Sequence, residues 1–370
     1  MPEPARVRAA SAIRWLGDLP RLEIAERRRD NNLNFMRLCL ATGVVFSHCF
    51  VLLDRFVDEP MQRWFAFYDL GGIAVLCFFF LSGYLIFKSA LRTSPEQFGA
   101  ARVLRLFPAL CVATLICILV LGPAVTTLRI GDYFVQPATW RYLGTAVLQL
   151  GTMQLPGVFV GGTVNQPLWT LSAEWLMYMA MLLVCFVATA RAGRLTTAGW
   201  IVTGGMLLFT ATLLPVLPWG HVGHWMLFAA CGAAAYSFRS WIPLSVPIML
   251  ALLTLDAAAL LTIKPLGKAL FLPIVAYSLL VIGFHPALQM RWPHRIGDYS
   301  YGVYILAWPF QQLMKPYAAT PELLFFYSYP LALAAAVLSW HFVEAPSLRL
   351  KPGKPMPLEP RLHGSESHVL

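Results

Sequence analysis

Arg37 and His48 are the two ionisable residues inside one apolar run, Asn31 to Phe50 (NNLNFMRLCLATGVVFSHCF). They stand eleven positions apart. On a helix, eleven steps of about 100° make three turns plus roughly 20°, so both side chains point the same way. At about 1.5 Å per residue they are separated by roughly 16 Å along the axis. A charged group in hydrocarbon is costly, so such residues are read as functional and as facing a protein interior or a wet cavity. An imidazole in that position can take a proton from a hydroxyl, and an arginine at the far end of the stripe can hold an anion.

Further residues extend this chemistry. Glu174, in NQPLWTLSAEW, is the only acid well inside its own apolar segment. Its expected depth matches that of His48, and a carboxylate beside an imidazole orients the ring and stabilises its protonated form, which suits a general base. Asn165, Trp169, Thr170 and Ser172, from the same stretch, are expected to wall an acceptor cleft on the outer side. Arg102 and Arg105, in ARVLRLFPAL, are three apart and share a helical face. With Arg37 they suit nucleotide phosphates, which guanidinium forks grip well.

Each has a plainer reading beside it. An arginine at a helix end can snorkel, a lone histidine can be a core group, and Glu174 can make a structural hydrogen bond. The arginine pair can be simple loop charge. His221 and His224 (HVGH) have a metal-compatible spacing, but no third ligand is evident, and no metal is expected. The Ser82-Gly83 step reads as helix packing. His341 and Glu344 read as an interfacial polar cluster, and Asp256 has no assigned role.

The elements that position these residues follow from composition. A hydrophobic share of 58% and a charged share of 12% lie outside the soluble average of roughly 45–50% and 25%. Apolar runs recur along most of the chain, so the expected fold is an all-α polytopic membrane protein. Ten spans are marked at about 34–53, 70–88, 105–122, 167–189, 198–215, 222–238, 244–263, 267–284, 297–314 and 323–343. An even number puts both termini on one side, taken as cytoplasmic. That side then receives 21 of the 28 basic residues and the other only seven, an asymmetry that follows the positive-inside rule.

The net charge of +10 is spread between apolar runs as topology signals are, which argues against a nucleic-acid partner. The seven cysteines form no CxxC pair and lie in or beside apolar segments, so neither a disulfide framework nor zinc is indicated. Residues 1–30 are too polar for a secretory signal and read as a basic cytoplasmic tail, part of it lying on the membrane as an amphipathic helix. The membrane part covers 31–345, and 346–370 reads as a second cytoplasmic tail, rich in proline. The longest outer connection, about 123–166, holds a moderately apolar piece, Tyr142 to Leu155, able to lie in the interface or re-enter the bilayer.

Several of these motifs together resemble the integral-membrane acyltransferase-3 family, the O-acyltransferases of bacterial surface glycans. NNLNFMRLCLATGVVFSH is similar to the family's opening segment, with arginine and histidine at the family spacing. GGIAVLCFFFLSGYLI, RVLRLFP, LWTLSAE, GDYSYGVYILAWPFQQ and FVEAPSLRL follow in the family's order, covering residues 31 to about 350. Three positions depart from it: Asn34 and Leu76 stand where acids are common, and Ala307 stands where many members have histidine.

The resemblance implies an acyl-CoA donor, usually acetyl-CoA, entering from the cytoplasm, and a carbohydrate acceptor beyond a bacterial cytoplasmic (inner) membrane. Arg37, Arg102 and Arg105 would bind the CoA phosphates. His48 would act as general base or transient acyl carrier, with Glu174 supporting it. The expected partners are acyl-CoA, carbohydrate and the lipid bilayer, with a homo-oligomer allowed. A transporter of a glycan or lipid-linked intermediate is the competing reading from another class, though no internal repeat supports it. A non-catalytic assembly subunit is a third.

Overall fold

The computed structural model describes residues 19–28, 31–65, 68–149, 153–214, 219–290 and 297–352. Among them the structure is helical, and the one β pairing is a single bridge between Arg21 and Pro243. Arg6, Arg8, Arg14, Arg29 and the chain after residue 352 lie outside the described residues, as does the side chain of His221.

Ten helices carry the fold. They are α1 (Leu33–Leu52), α2 (Leu70–Ala90), α3 (Pro95–Ile116), α4 (Trp169–Arg191), α5 (Thr197–Leu213), α6 (Trp219–Ser237), α7 (Val246–Thr262), α8 (Lys264–Phe284), α9 (Ser300–Met314) and α10 (Pro321–Ser339). Every span expected from hydropathy falls on one of them. Six helical stretches are long and apolar enough to cross a membrane by themselves: α1, α2, α4, α8, α3 prolonged to Val125, and α10 prolonged to Arg349. The chain is thus an all-α protein with several membrane-crossing helices. α5 and α7 are apolar but shorter.

The local sequence explains where helices begin. The Gln97 side chain accepts from the Ser94 backbone N–H at 3.4 Å ahead of α3, with Pro95 in the first turn where its missing N–H costs nothing. Asp69 caps α2 by accepting from the Gly72 amide, and Thr196, Ser245 and Thr320 cap α5, α7 and α10 in the same way. α3 and α10 each continue through a π-helical turn, Cys117–Leu121 and Trp340–Glu344. Such turns rotate the residues beyond them relative to an ideal helix, and they recur at functional sites.

α1 is central, packing on α2, α9 and α10. α2 lies unusually close to α6. A Cβ built on Gly83 would sit 2.0 Å from the Ala229 carbonyl oxygen, and one on Gly232 would sit 2.0 Å from that of Phe80. Only glycine permits that approach, so Gly83 serves packing, as its position in the sequence led us to expect.

Asn32 ties the start of α1 to the end of α8. Its amide donates to the Ile282 and Leu288 carbonyls at 2.8 and 2.7 Å, and its oxygen accepts from the Met290 amide at 3.0 Å. The short helix Leu22–Glu26 is folded against the bundle. Glu26 accepts from the Tyr84 hydroxyl and faces Lys88 and Arg239 at 3.5 and 3.7 Å. Tyr142 and Leu155 pack with Cys117, Ile118 and Tyr133 beside the end of α3.

Candidate active site

The site grows from the start of α1, the middle of α3 and the residues just before α9. Arg37 projects from the second turn of α1 and Arg105 from the middle of α3. Between them lies Asp298, just before α9. A single oxygen, Asp298 Oδ2, accepts from Arg37 Nη1 at 2.8 Å and from Arg105 Nη2 at 2.7 Å. Its other oxygen accepts from the Ser300 hydroxyl. The opposite edge of Arg105 reaches Glu344 Oε2 at 3.4 Å, and its guanidinium lies over the Tyr301 ring, 5.4 Å from the centroid. Asp298 and Glu344 are 8% and 2% exposed, so these charges are held away from solvent by mutual pairing.

Arg102 joins the group differently. It makes no ion pair among the described residues, and its Nε is buried without a hydrogen-bond partner. Its guanidinium is sandwiched between the rings of Phe98 and Tyr178, at 5.5 and 5.6 Å. Arg37, Arg102 and Arg105 line one cavity of about 100 Å³, together with Ser82, Glu174, Tyr178 and Lys351.

A second chamber, of about 490 Å³, surrounds His48. Its walls include Asp69, Trp169, Thr170, His224, Trp225, Tyr304 and Trp308. The His48 ring meets that of Trp308 edge-on at 5.2 Å, and Trp169 leans on Trp225 at 5.0 Å. Asp69 is fixed in place, since its carboxylate accepts from Ser47 Oγ at 2.9 Å and from the Gly72 amide at 3.0 Å. Apolar walls with few, fixed polar groups are the usual character of a small-molecule site.

A narrow cavity of about 60 Å³ joins the two. Arg37, Ser82, Arg105, Glu174 and Tyr178 line both it and the arginine cavity. Val75, Thr170 and Tyr304 line both it and the His48 chamber. Thr170 and Tyr304 hydrogen-bond to each other there, and the tyrosine hydroxyl also reaches the Pro167 carbonyl at 2.6 Å. Beyond the chamber, Gln166 and Trp169 lead into a wide hollow of about 940 Å³ under the Met153–Thr163 loop. Four cavities sharing walls therefore run from Lys351 at one end to that loop at the other.

The residues singled out from sequence divide between these compartments. Arg37, Arg102 and Arg105 come together. His48, Trp169 and Thr170 share the chamber. Asn165 and Ser172 are not among the residues lining these cavities: each is 1% exposed, and the Asn165 amide donates to the Ile305 carbonyl at 2.7 Å. Glu174 was expected beside His48. It lines the arginine cavity and the narrow passage instead, with its carboxylate accepting from the Tyr178 hydroxyl, one turn along α4. The carboxylate that shares the chamber with His48 is Asp69.

One acid escaped the sequence reading, and another has a different partner from the one expected. Asp298 lies in the GDYSYG segment, 261 and 193 positions from its arginine partners, so no local spacing announces the pairing. Glu344 was expected to cluster with His341. The π turn separates them, so that Glu344 meets Arg105 while His341 is exposed and bonds the Val337 carbonyl within its own helix. Asp256, in α7, is 4% exposed with one oxygen unpartnered and lies outside these cavities. Of the three departures, Asn34 is exposed, while Leu76 and Ala307 are buried. His224 lines the His48 chamber, and the described residues contain no metal-binding cluster of His, Cys, Asp and Glu.

Comparison with known proteins gives a consistent picture. Residues 30–341 match a family described as an acyltransferase domain. An O-acetyl transferase of Shigella phage Sf6 is 28% identical over 345 residues, covering 85% of this chain and 95% of that protein. Nodulation protein 10 of Rhizobium leguminosarum bv. viciae is 31% identical over 180 residues, 45% of this chain and 48% of that protein. No solved structure matches.

Proposed function

We propose, from the premise that this chain belongs to the acyltransferase-3 family, that it moves an acyl group, acetyl in the first instance, from cytoplasmic acyl-CoA to a carbohydrate hydroxyl across a bacterial inner membrane. The family, the phage O-acetyl transferase and the nodulation protein support O-acyl transfer to a sugar. The observation that carries the donor and acceptor assignment is the file of cavities joining the arginine cluster to His48.

The roles follow from the compartments. Arg37, Arg102 and Arg105 hold the donor's phosphates, where charge-assisted hydrogen bonds are strong. The thin pantetheine arm passes Ser82 and Thr170 and brings the thioester into the chamber. The acceptor sugar enters from the opposite side, its ring against Trp169 and Trp225, which offer flat apolar faces. His48 accepts the hydroxyl proton as the oxygen attacks the thioester carbonyl. The C–O bond forms, the C–S bond breaks, and the proton passes from the imidazole to the leaving thiolate. Asp69 sets a fixed negative charge in the chamber where the imidazolium forms. No metal enters the scheme.

The test uses purified protein in proteoliposomes, labelled acetyl-CoA on one face and a panel of bacterial surface polysaccharides on the other. Wild type transfers label. His48→Ala falls by a factor of roughly 10² or more, as expected on removing a general base. Retained transfer in that variant removes His48 from the mechanism. Absence of transfer by wild type, with label-free glycan crossing the membrane, establishes the transporter reading instead.

A further inference from the structure

Lys351 lies beyond the helices that build the site and beyond the residues matched to the family, which end at 341. It nevertheless lines the arginine cavity, on the same walls as Arg37, Arg102 and Arg105. The four cations of that cavity are not equivalent. Arg37 and Arg105 are already neutralised by Asp298, with Glu344 on the far edge of Arg105. The remaining acid on the cavity wall, Glu174, is engaged by the Tyr178 hydroxyl. Arg102 and Lys351 make no ion pair among the described residues. Arg102 keeps a buried, unpartnered Nε. Partial loss of solvent at the cavity mouth, and then the positive charges of Arg102 and Arg105, push the Lys351 ammonium below the ordinary lysine range. Two cations with no ion pair among the described residues, beside one hydrogen-bonded carboxylate, Glu174, make a site for an anion.

The charge count decides which anion. A phosphate monoester carries about −1.5 to −2 near neutral pH, whereas each phosphate of an internal diester or diphosphate carries about one. Two unpaired cations on one rim match the doubly charged group. We infer that Arg102 and Lys351 together bind a terminal phosphate monoester on the donor nucleotide, so that this enzyme selects CoA thioesters carrying the ribose 3′-phosphate over those lacking it. The inference rests on the acyl-CoA reading given above and adds a specificity residue to it. Arg37 and Arg105, held by Asp298, are left to position the diphosphate and the entrance of the arm.

The test needs no acceptor. Binding of acetyl-CoA and of acetyl-3′-dephospho-CoA to the full chain in detergent is measured by calorimetry, at fixed ionic strength. Wild type binds acetyl-CoA roughly tenfold or more tightly than the dephospho form, the usual scale for a charged hydrogen-bonded group. Lys351→Gln loses that preference to within about twofold and binds the dephospho form as wild type does, while Lys351→Arg restores it. Lys351 is exposed at the rim, so these variants fold. Equal weakening of both thioesters makes Lys351 a general cation, as lipid phosphate at the rim also would, and overturns the inference while the donor reading stands. Failure of wild type to bind either thioester overturns both.

Discussion

Asp298 Oδ2 is shared by two guanidinium groups, and that sharing sets what each partner can do. Removing the carboxylate leaves two buried cations with one remaining acid, Glu344, in contact with Arg105 alone. Breaking a buried pair on one side costs about 3–5 kcal/mol. Asp298→Ala is therefore expected to lose stability on that scale, seen as a lower thermal midpoint in detergent, with acetyl-CoA binding weakened because Arg37 and Arg105 are no longer aimed. The two acids near the reaction path separate by a different readout. Asn caps a helix as well as Asp does, so Asp69→Asn preserves the start of α2 and removes only the charge facing the His48 chamber. It is expected to lower kcat roughly tenfold, the size of a 1.4 kcal/mol electrostatic contribution, with the donor KM unchanged. Glu174→Gln is expected to shift the donor KM and spare kcat. The reverse pattern in steady-state kinetics returns Glu174 to the imidazole. The sequence marks Arg37 and His48 because charge inside an apolar run is conspicuous. It does not mark Asp298 or Asp69, because both lie at helix starts, where acids are ordinary.

Helices were legible wherever hydropathy alone decides, so each expected span has its counterpart. Their pairing was legible only in fragments. Gly83 announces a close contact, but nothing in the sequence says that its partner is the backbone of Ala229, with Gly232 answering against Phe80. This reciprocal fit carries a prediction. Gly83→Val or Gly232→Val forces α2 and α6 apart against main-chain atoms that cannot move aside, and overpacking of this kind costs about 1–3 kcal/mol or more. Folded yield and thermal midpoint are expected to fall together. Gly204 in α5, where an added Cβ meets nothing within 4 Å, is the matched control, and Gly204→Ala is expected to raise stability by up to about 1 kcal/mol through helix propensity. The π turn after α10 was illegible for a related reason. Ideal helical spacing puts His341 and Glu344 on one face, and one wide turn sends the acid to Arg105 and leaves the histidine exposed.

At the scale of the molecule, basic residues expected on one side of the membrane form two groups among the described residues. Glu26 draws Lys88 and Arg239 together, and the arginine cavity holds Arg37, Arg102, Arg105 and Lys351. Helical rise sets Arg37 and His48 roughly 16 Å apart along α1, but whether space connects them is not legible in the sequence, since the passage is made by side chains from five helices. The passage is about 60 Å³, far smaller than the His48 chamber of about 490 Å³. Catalysis across it requires that a slender arm, and nothing bulky, pass Val75, Thr170 and Tyr304. Val75 faces both the passage and the chamber, on the far side of the passage from the arginine cavity. Val75→Trp is therefore expected to close the route without touching the phosphate-binding end. CoA itself should bind within about twofold of wild type while acetyl transfer falls to the level of His48→Ala. Val75→Ala, which widens the passage, is expected to admit longer acyl-CoA donors such as butyryl-CoA. If the tryptophan variant transfers acetyl at the wild-type rate, the thioester reaches the imidazole by another path, and the cavities joining the two ends have no part in the reaction.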